Sequence, residues 1–211
     1  MGNLCKFCEK FGSSNLSIDP ADTIVFATEN FVVTPTVGSI VPGWLLVTPK
    51  KHFVCMGAMG DALLNELDDV CSRAEQLLAE SFGSTVRFEH GPVSPLRPVG
   101  CGIDHAHTHI VATAADLLGT SAKVSQSPLD WARVDRSDAV GLAYALNIPY
   151  LFLRDQNGCS WICSSPNIGS QVLRRAVAAS VGIPEEFDWK TNRFDKHIEL
   201  TLEGLGLAVS S

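Results

Sequence analysis

Basic residues are scarce in this chain of 211 residues: 16 Lys and Arg stand against 23 Asp and Glu, a formal net charge of −7. A sequence-independent hold on DNA or RNA needs a basic stripe that displaces counterions, so the balance of charge argues against that class of partner. A small anionic ligand needs only local donors and stays open. Long apolar runs are lacking too: no stretch approaches the ~20 residues of a membrane span. The opening Met1-Gly2-Asn3-Leu4-Cys5-Lys6 has no basic region followed by an apolar core, and Lys6 stands where a myristoylation motif wants Ser or Thr. The expectation is a cytoplasmic protein with no membrane partner. A disulfide framework is missing as well. The seven cysteines are odd in number and scattered, which suits a reducing compartment where some thiols bind metal and others are buried as small hydrophobes. Internal repeats and low-complexity segments are absent.

What is present describes a folded globular chain. Apolar residues make up 45% and charged residues 18%, and a mean hydropathy of +0.15 implies that much of the apolar material is buried. The length suits one good core with an extension. Ile24–Ala27 and Phe31–Thr34 are β-rich runs around a turn, and Trp44–Thr48 is a third strand ending at Pro49-Lys50-Lys51-His52, so the spacing predicts a meander. From Ala58 to about Phe82, the residues Leu63, Leu64, Leu67, Val70, Cys71, Ala74, Leu77 and Leu78 recur at helical spacing, predicting an amphipathic helix stopped by Gly83. Thr85–Gly91 reads as a fourth strand. The first half is thus α+β, an antiparallel sheet with a long helix across it. Beyond Thr113, 114–127 reads as a connector, 138–145 as a short helix, and Pro149–Arg154 with Cys159–Cys163 as a strand pair. A helix capped by Ser170 and a helical tail over 196–203 follow.

The chain is organised around Gly100-Cys101-Gly102-Ile103-Asp104-His105-Ala106-His107-Thr108-His109. On a strand, His105, His107 and His109 form one row, roughly 6.5 to 7 Å apart. Such a row is a polar strand face, a metal site, or a catalytic histidine with histidine neighbours. Cys5-Lys6-Phe7-Cys8 lets two thiolates share a zinc but has no second pair to complete the set. Two unrelated cysteines, or a redox pair, are the other readings.

With the Cys-x-x-Cys pair, Val41-Pro42-Gly43, Pro49-Lys50-Lys51-His52 and the histidine strand in that order, residues 1–113 resemble the histidine-triad (HIT) family. The resemblance implies a HIT-like α+β fold, usually a homodimer, acting on a nucleotide. It implies that His107 is a nucleophile forming a covalent nucleotidyl-histidine and that His109 contacts the phosphoryl oxygens or leaving group. Gly100, Cys101 and Gly102 would supply phosphate donors. Glu89-His90 stands where many relatives place an amide side chain at the substrate, and His90 either binds phosphate or ribose there or is a satisfied surface histidine. Zinc-containing relatives further imply a structural zinc on Cys5, Cys8, His52 and His105, with no catalytic metal. Trp44, where the family commonly has His, reads as a packing residue.

The expected organisation is a HIT-like catalytic domain with its zinc-binding leader over 1–113 and a smaller α/β C-terminal extension over 114–211 packed on it. In that extension Ser170-Gln171, Leu173-Arg174-Arg175 and Asp188-Trp189-Lys190 resemble features of larger HIT-like proteins. Arg174 or Lys190 either reaches substrate phosphates or is a solvated or ion-paired side chain. The function implied is a hydrolase splitting a dinucleoside polyphosphate or nucleoside phosphoramidate at the α-phosphorus. The alternatives are a nucleotidyltransferase or phosphorylase using the same intermediate, a catalytically silent nucleotide-binding protein, or a metal-dependent hydrolase using all three histidines as ligands.

Overall fold

The computed structural model describes residues 5–12, 19–95, 105–134 and 139–207. The β-rich runs pair as the meander β1 (Phe26–Ala27), β2 (Phe31–Pro35) and β3 (Trp44–Pro49). β4 (Thr85–Gly91) and β5 (Thr108–Ala112) follow, with β5 lying between β3 and β4. β6 (Ala132–Val134), β7 (Tyr150–Arg154) and β8 (Ser160–Ser164) complete the set. Among the described residues these strands make one eight-stranded sheet in the order β1-β2-β3-β5-β4-β7-β8-β6, antiparallel throughout. Residues on both sides of position 113 share it, because β7 bonds directly to β4 with Leu151 opposite His90.

Strand alternation gives the sheet two apolar faces. One carries Leu45, Val47, Ile110, Tyr150 and Phe152, and α2 (Asp61–Phe82) lays Leu64, Leu67, Val70, Ala74 and Leu78 on it. Burying each Leu contributes about 1.5–3 kcal/mol, and this holds the helix, since its Gly60 N-cap makes no side-chain bond. Arg87 is one of the buried polar residues of this face. It is 2% exposed and clasps Asp68 at 2.7 Å and Glu75 at 2.9 Å, both on α2. The other face carries Trp44, Phe88, Val111, Leu151 and Leu153 under α3 (Leu117–Val124) and α5 (Val172–Ser180). The short α4 (Ala139–Ala145) joins the α2 side, and α6 (Asp195–Gly204) packs Ile198 and Leu202 on Ala21.

Four local expectations change. The leader contains a helix, α1 (Lys6–Gly12). The stretch 114–127 is not a plain connector but contains α3, whose Asp116 carboxylate accepts the Gly119 N–H at 3.0 Å as an N-cap. Ser170 does not cap α5; the helix starts from Gln171 in the left-handed region at φ 57°. The histidine strand begins at Thr108 rather than His105, because Ala106 leaves the ladder to bond the Phe53 carbonyl at 2.7 Å and the His105 ring takes the Pro49 carbonyl.

Candidate functional site

Cys5, immediately before α1, and Cys8, within it, meet His52 beyond the end of β3 and His105 ahead of β5. The four ligand atoms lie within 4.8 Å of one another. Cys5 Sγ is 3.2 Å from His105 Nδ1, and Cys8 Sγ is 3.5 Å and 3.6 Å from the Nδ1 atoms of His52 and His105. Tetrahedral zinc with ordinary Zn–S and Zn–N bonds has S···N edges of about 3.6 Å, so this donor set fits that ion. The other nitrogen of His105 supports the fit. Its Nε2–H donates to the Pro49 carbonyl at 2.8 Å, which turns the Nδ1 lone pair toward the thiols. Among the described residues, the cluster of metal-ligating side chains holds His105 but neither His107 nor His109. The three histidines are therefore separated by geometry: His105 joins the cysteines, and His107 and His109 stand outside that cluster.

His107 is 8% exposed, with Phe7 of α1 at 6.0 Å between ring centroids. Its Nδ1–H donates to the His105 backbone carbonyl at 2.7 Å, which assigns the tautomer with the lone pair on Nε2. His109 is buried on β5, stacked on Phe88 at 4.7 Å and 5.0 Å from the His107 ring. The indole N–H of Trp44 donates to His109 Nδ1 at 3.0 Å, so the ring proton sits on Nε2. That Nε2 is buried without a hydrogen-bond partner among the described residues. A buried donor left unpaired costs about 1–3 kcal/mol, which marks the place where a ligand acceptor would be stabilising.

His90 borders the same face, its ring 6.5 Å from that of His109. It is buried, and its Nε2 accepts the Leu173 backbone N–H at 3.3 Å, so α5 closes over it. Burial drives its pKa down to about 3, with the charges of His107 and Arg174 acting in the same direction. Burial likewise holds His109 well below the usual histidine range. Both rings are neutral at pH 7. Arg174 is neither solvated nor placed on a ligand by the described residues. Its guanidinium lies over the Trp44 ring at 4.8 Å and donates to the carbonyls of Gly38 at 2.5 Å and Phe187 at 3.1 Å. Gly38 has φ +78°, and a Cβ there would meet Arg174 and Trp189 below 3 Å, so only glycine fits this approach. Lys190 is exposed, 5.9 Å from the Trp189 ring.

Glu89 turns by alternation to the α2 face, away from His90. Its carboxylate accepts the Met56 N–H at 2.7 Å and the Tyr150 hydroxyl at 2.6 Å, and Tyr150 in turn accepts the Gly57 N–H at 3.0 Å. Burial raises its pKa to about 7 despite those bonds. Its oxygens are thus committed to an internal network. Gly100, Cys101 and Gly102 lie outside the described residues. Sequence reasoning missed Trp44 and Leu173 as partners of His109 and His90. The signal for Trp44 was present, since it stands two residues along β3 from Leu46, the neighbour directly opposite His109, and so shares its face.

No protein-family model matches the chain, and no curated protein matches it. Solved structures do. One is a hypothetical histidine triad nucleotide-binding protein from Sulfolobus tokodaii, at 24% identity and TM-score 0.40, covering 53% of this chain and 71% of that one. A HIT family protein from Bacillus anthracis is 15% identical with TM-score 0.45, over 55% and 77% of the two chains. A zinc-bound histidine triad family protein from Mycobacterium smegmatis is 18% identical with TM-score 0.40, over 68% and 91%. What this α+β chain is similar to, over somewhat more than half its length, is a set of histidine-triad proteins.

Proposed function

We propose that this chain is a hydrolase of nucleoside 5′-phosphate derivatives, dinucleoside polyphosphates or nucleoside phosphoramidates, acting at the α-phosphorus through a covalent nucleotidyl-His107. The observation that carries the reading is the 2.7 Å bond from His107 Nδ1–H to the His105 carbonyl, which leaves the lone pair on Nε2. Attack by Nε2 forms a P–N bond as the bond to the leaving group breaks, and water then releases the mononucleotide. The Nε2–H of His109 donates to a phosphoryl oxygen, and the backbone of Gly100 to Gly102 adds further donors. Zinc on Cys5, Cys8, His52 and His105 is structural: bound there, it ties α1 to the segment that carries His107, and the chemistry needs no other metal. A homodimer belongs to the same reading, and light scattering reads it.

A second reading, a nucleotide-binding protein without turnover, draws on the covering of His90 by α5 and of His107 by Phe7. Mononucleotide release from a panel of adenosine and guanosine phosphoramidates and dinucleoside polyphosphates separates the two. Release that vanishes in His107→Ala and survives chelation supports the hydrolase. Binding without release supports the second reading, and transfer to added phosphate in place of water makes the chain a phosphorylase.

A further inference from the structure

The face opposite α2 brings together three imidazoles whose tautomers are each set by a bond to a neutral group. His107 Nδ1–H is given to the His105 carbonyl, His109 Nδ1 takes the Trp44 indole N–H, and His90 Nε2 takes the Leu173 N–H. Trp44 is wholly buried and is itself held by Arg174 stacked over its ring. An indole N–H only donates and does not titrate. Resting on the hydrolase reading, we propose that Trp44 is a specificity-determining positioning residue that fixes His109 as a neutral Nε2–H donor. It thereby restricts the site to leaving groups that depart without taking up a proton, phosphoanhydrides rather than phosphoramidates.

The proton balance carries the distinction. When His107 Nε2 bonds to phosphorus, its Nδ1–H stays on the His105 carbonyl, so attack releases no proton. In a P–O–P substrate the electron pair of the breaking bond settles on a phosphate oxygen, which is a stable anion at neutral pH. In a P–N substrate the pair settles on nitrogen, and that atom must receive a proton as the bond breaks. His109 does not supply one. Losing Nε2–H would turn a neutral ring into an imidazolate, and charging the ring first would set a new Nδ1–H against the indole N–H. His90 is blocked in the same way, with the Leu173 N–H on its Nε2. What His109 does supply is a hydrogen bond to a phosphoryl or bridging oxygen from a donor that no described residue engages.

The test compares kcat/KM of the full chain for a diadenosine polyphosphate and for adenosine 5′-phosphoramidate, in wild type and Trp44→Phe, with ¹⁵N spectra of the histidine rings. A missing general acid costs about 100-fold or more, so the wild type is expected to prefer the anhydride by at least that factor. In Trp44→Phe, with Nδ1 of His109 released, the preference narrows by about tenfold or more. The wild-type spectra show His109 as the Nε2–H tautomer through neutral pH, and Trp44→Phe loses that signature. If Trp44→Phe fails to fold, the wild-type ratio and spectra decide alone. Anhydride turnover without preference, or a His109 that carries Nδ1–H or charges near neutral pH, overturns this inference and leaves the hydrolase reading standing. Turnover of neither substrate overturns both.

Discussion

His105 and His107 are joined by one bond, from the ring Nδ1–H of His107 to the backbone carbonyl of His105 at 2.7 Å, while the His105 ring belongs to the cluster with Cys5, Cys8 and His52. The residue that orients the proposed nucleophile through its main chain is therefore the one that anchors the leader through its side chain.

Metal binding at this cluster is folding energy, because the unfolded chain holds no preformed site. Zinc is expected at one ion per chain in the wild type and absent from Cys8→Ser. A strong chelator lowers the Tm of the wild type, on the order of 10 °C, and leaves that of Cys8→Ser unmoved. Equal Tm values with and without chelator in the metal-loaded wild type would contradict a structural ion.

Glu89 makes stability depend on pH in a sense opposite to the usual carboxylate. Its folded pKa is raised by burial from 4.5 to about 7, so between those values the folded chain binds the proton that the unfolded chain has lost. Stability from this group falls as pH rises from about 4.5 to about 7. His90, depressed by burial from 6.5 to about 3, works the other way, and its contribution is lost as pH falls below 6.5. In Glu89→Gln the first effect disappears. The variant gains on the wild type by on the order of 3 kcal/mol between pH 4 and pH 8, and its acid unfolding is steeper. Urea melts at several pH values check this, and parallel curves for the two proteins would refute it.

Gly91 ends β4 directly against Tyr150, where an added Cβ would lie 2.2 Å from the ring. Tyr150 cannot retreat without releasing Glu89 and the Gly57 N–H. Gly91→Ala is expected to cost about 1–3 kcal/mol by overpacking, and more if the Glu89 bond breaks. A Tm within a degree of wild type would show that the ring shifts freely.

Arg174 holds α5 to the loop before β3 by donating to Gly38, and to the turn that follows α5 by donating to Phe187. Arg174→Met keeps the stem but leaves those carbonyls unserved, at about 1–3 kcal/mol for each buried group left unpaired. Amide exchange at Leu173, which donates to His90, quickens in the variant. Unchanged protection there would separate Arg174 from the closure over the histidine face.

The strands and the long helix were legible because each rests on a local pattern, alternation or helical periodicity; spacing alone offered only the Cys5–Cys8 pair, and His52 and His105 joined it through the resemblance to zinc-containing histidine-triad proteins. Less of the histidine face was legible. His105, His107 and His109 read as one row, but the departure of Ala106 to Phe53 depends on a contact across half the domain. Glu89 and His90 sit side by side in sequence and fall on opposite faces, so only strand register separates a buried carboxyl network from a buried imidazole. Trp44 read as packing because a tryptophan usually is; that its N–H meets His109 follows from β3 and β5 being neighbours. Arg174 invited a phosphate because guanidinium and phosphate match, and the positive-φ turn at Gly38 offered it carbonyls instead.

A covalent nucleotide on His107 is what distinguishes the proposed hydrolase from a nucleotide-binding protein without turnover. Intact-mass spectrometry of the protein, quenched soon after mixing with a diadenosine polyphosphate, reads it most directly. An acid-labile adduct of one mononucleotide mapping to His107 is expected, unaffected by chelator, with His107→Ala losing both the adduct and at least about 1000-fold in mononucleotide release. Wild-type turnover with no adduct at any quench time, matched by undiminished turnover in His107→Ala, would contradict it.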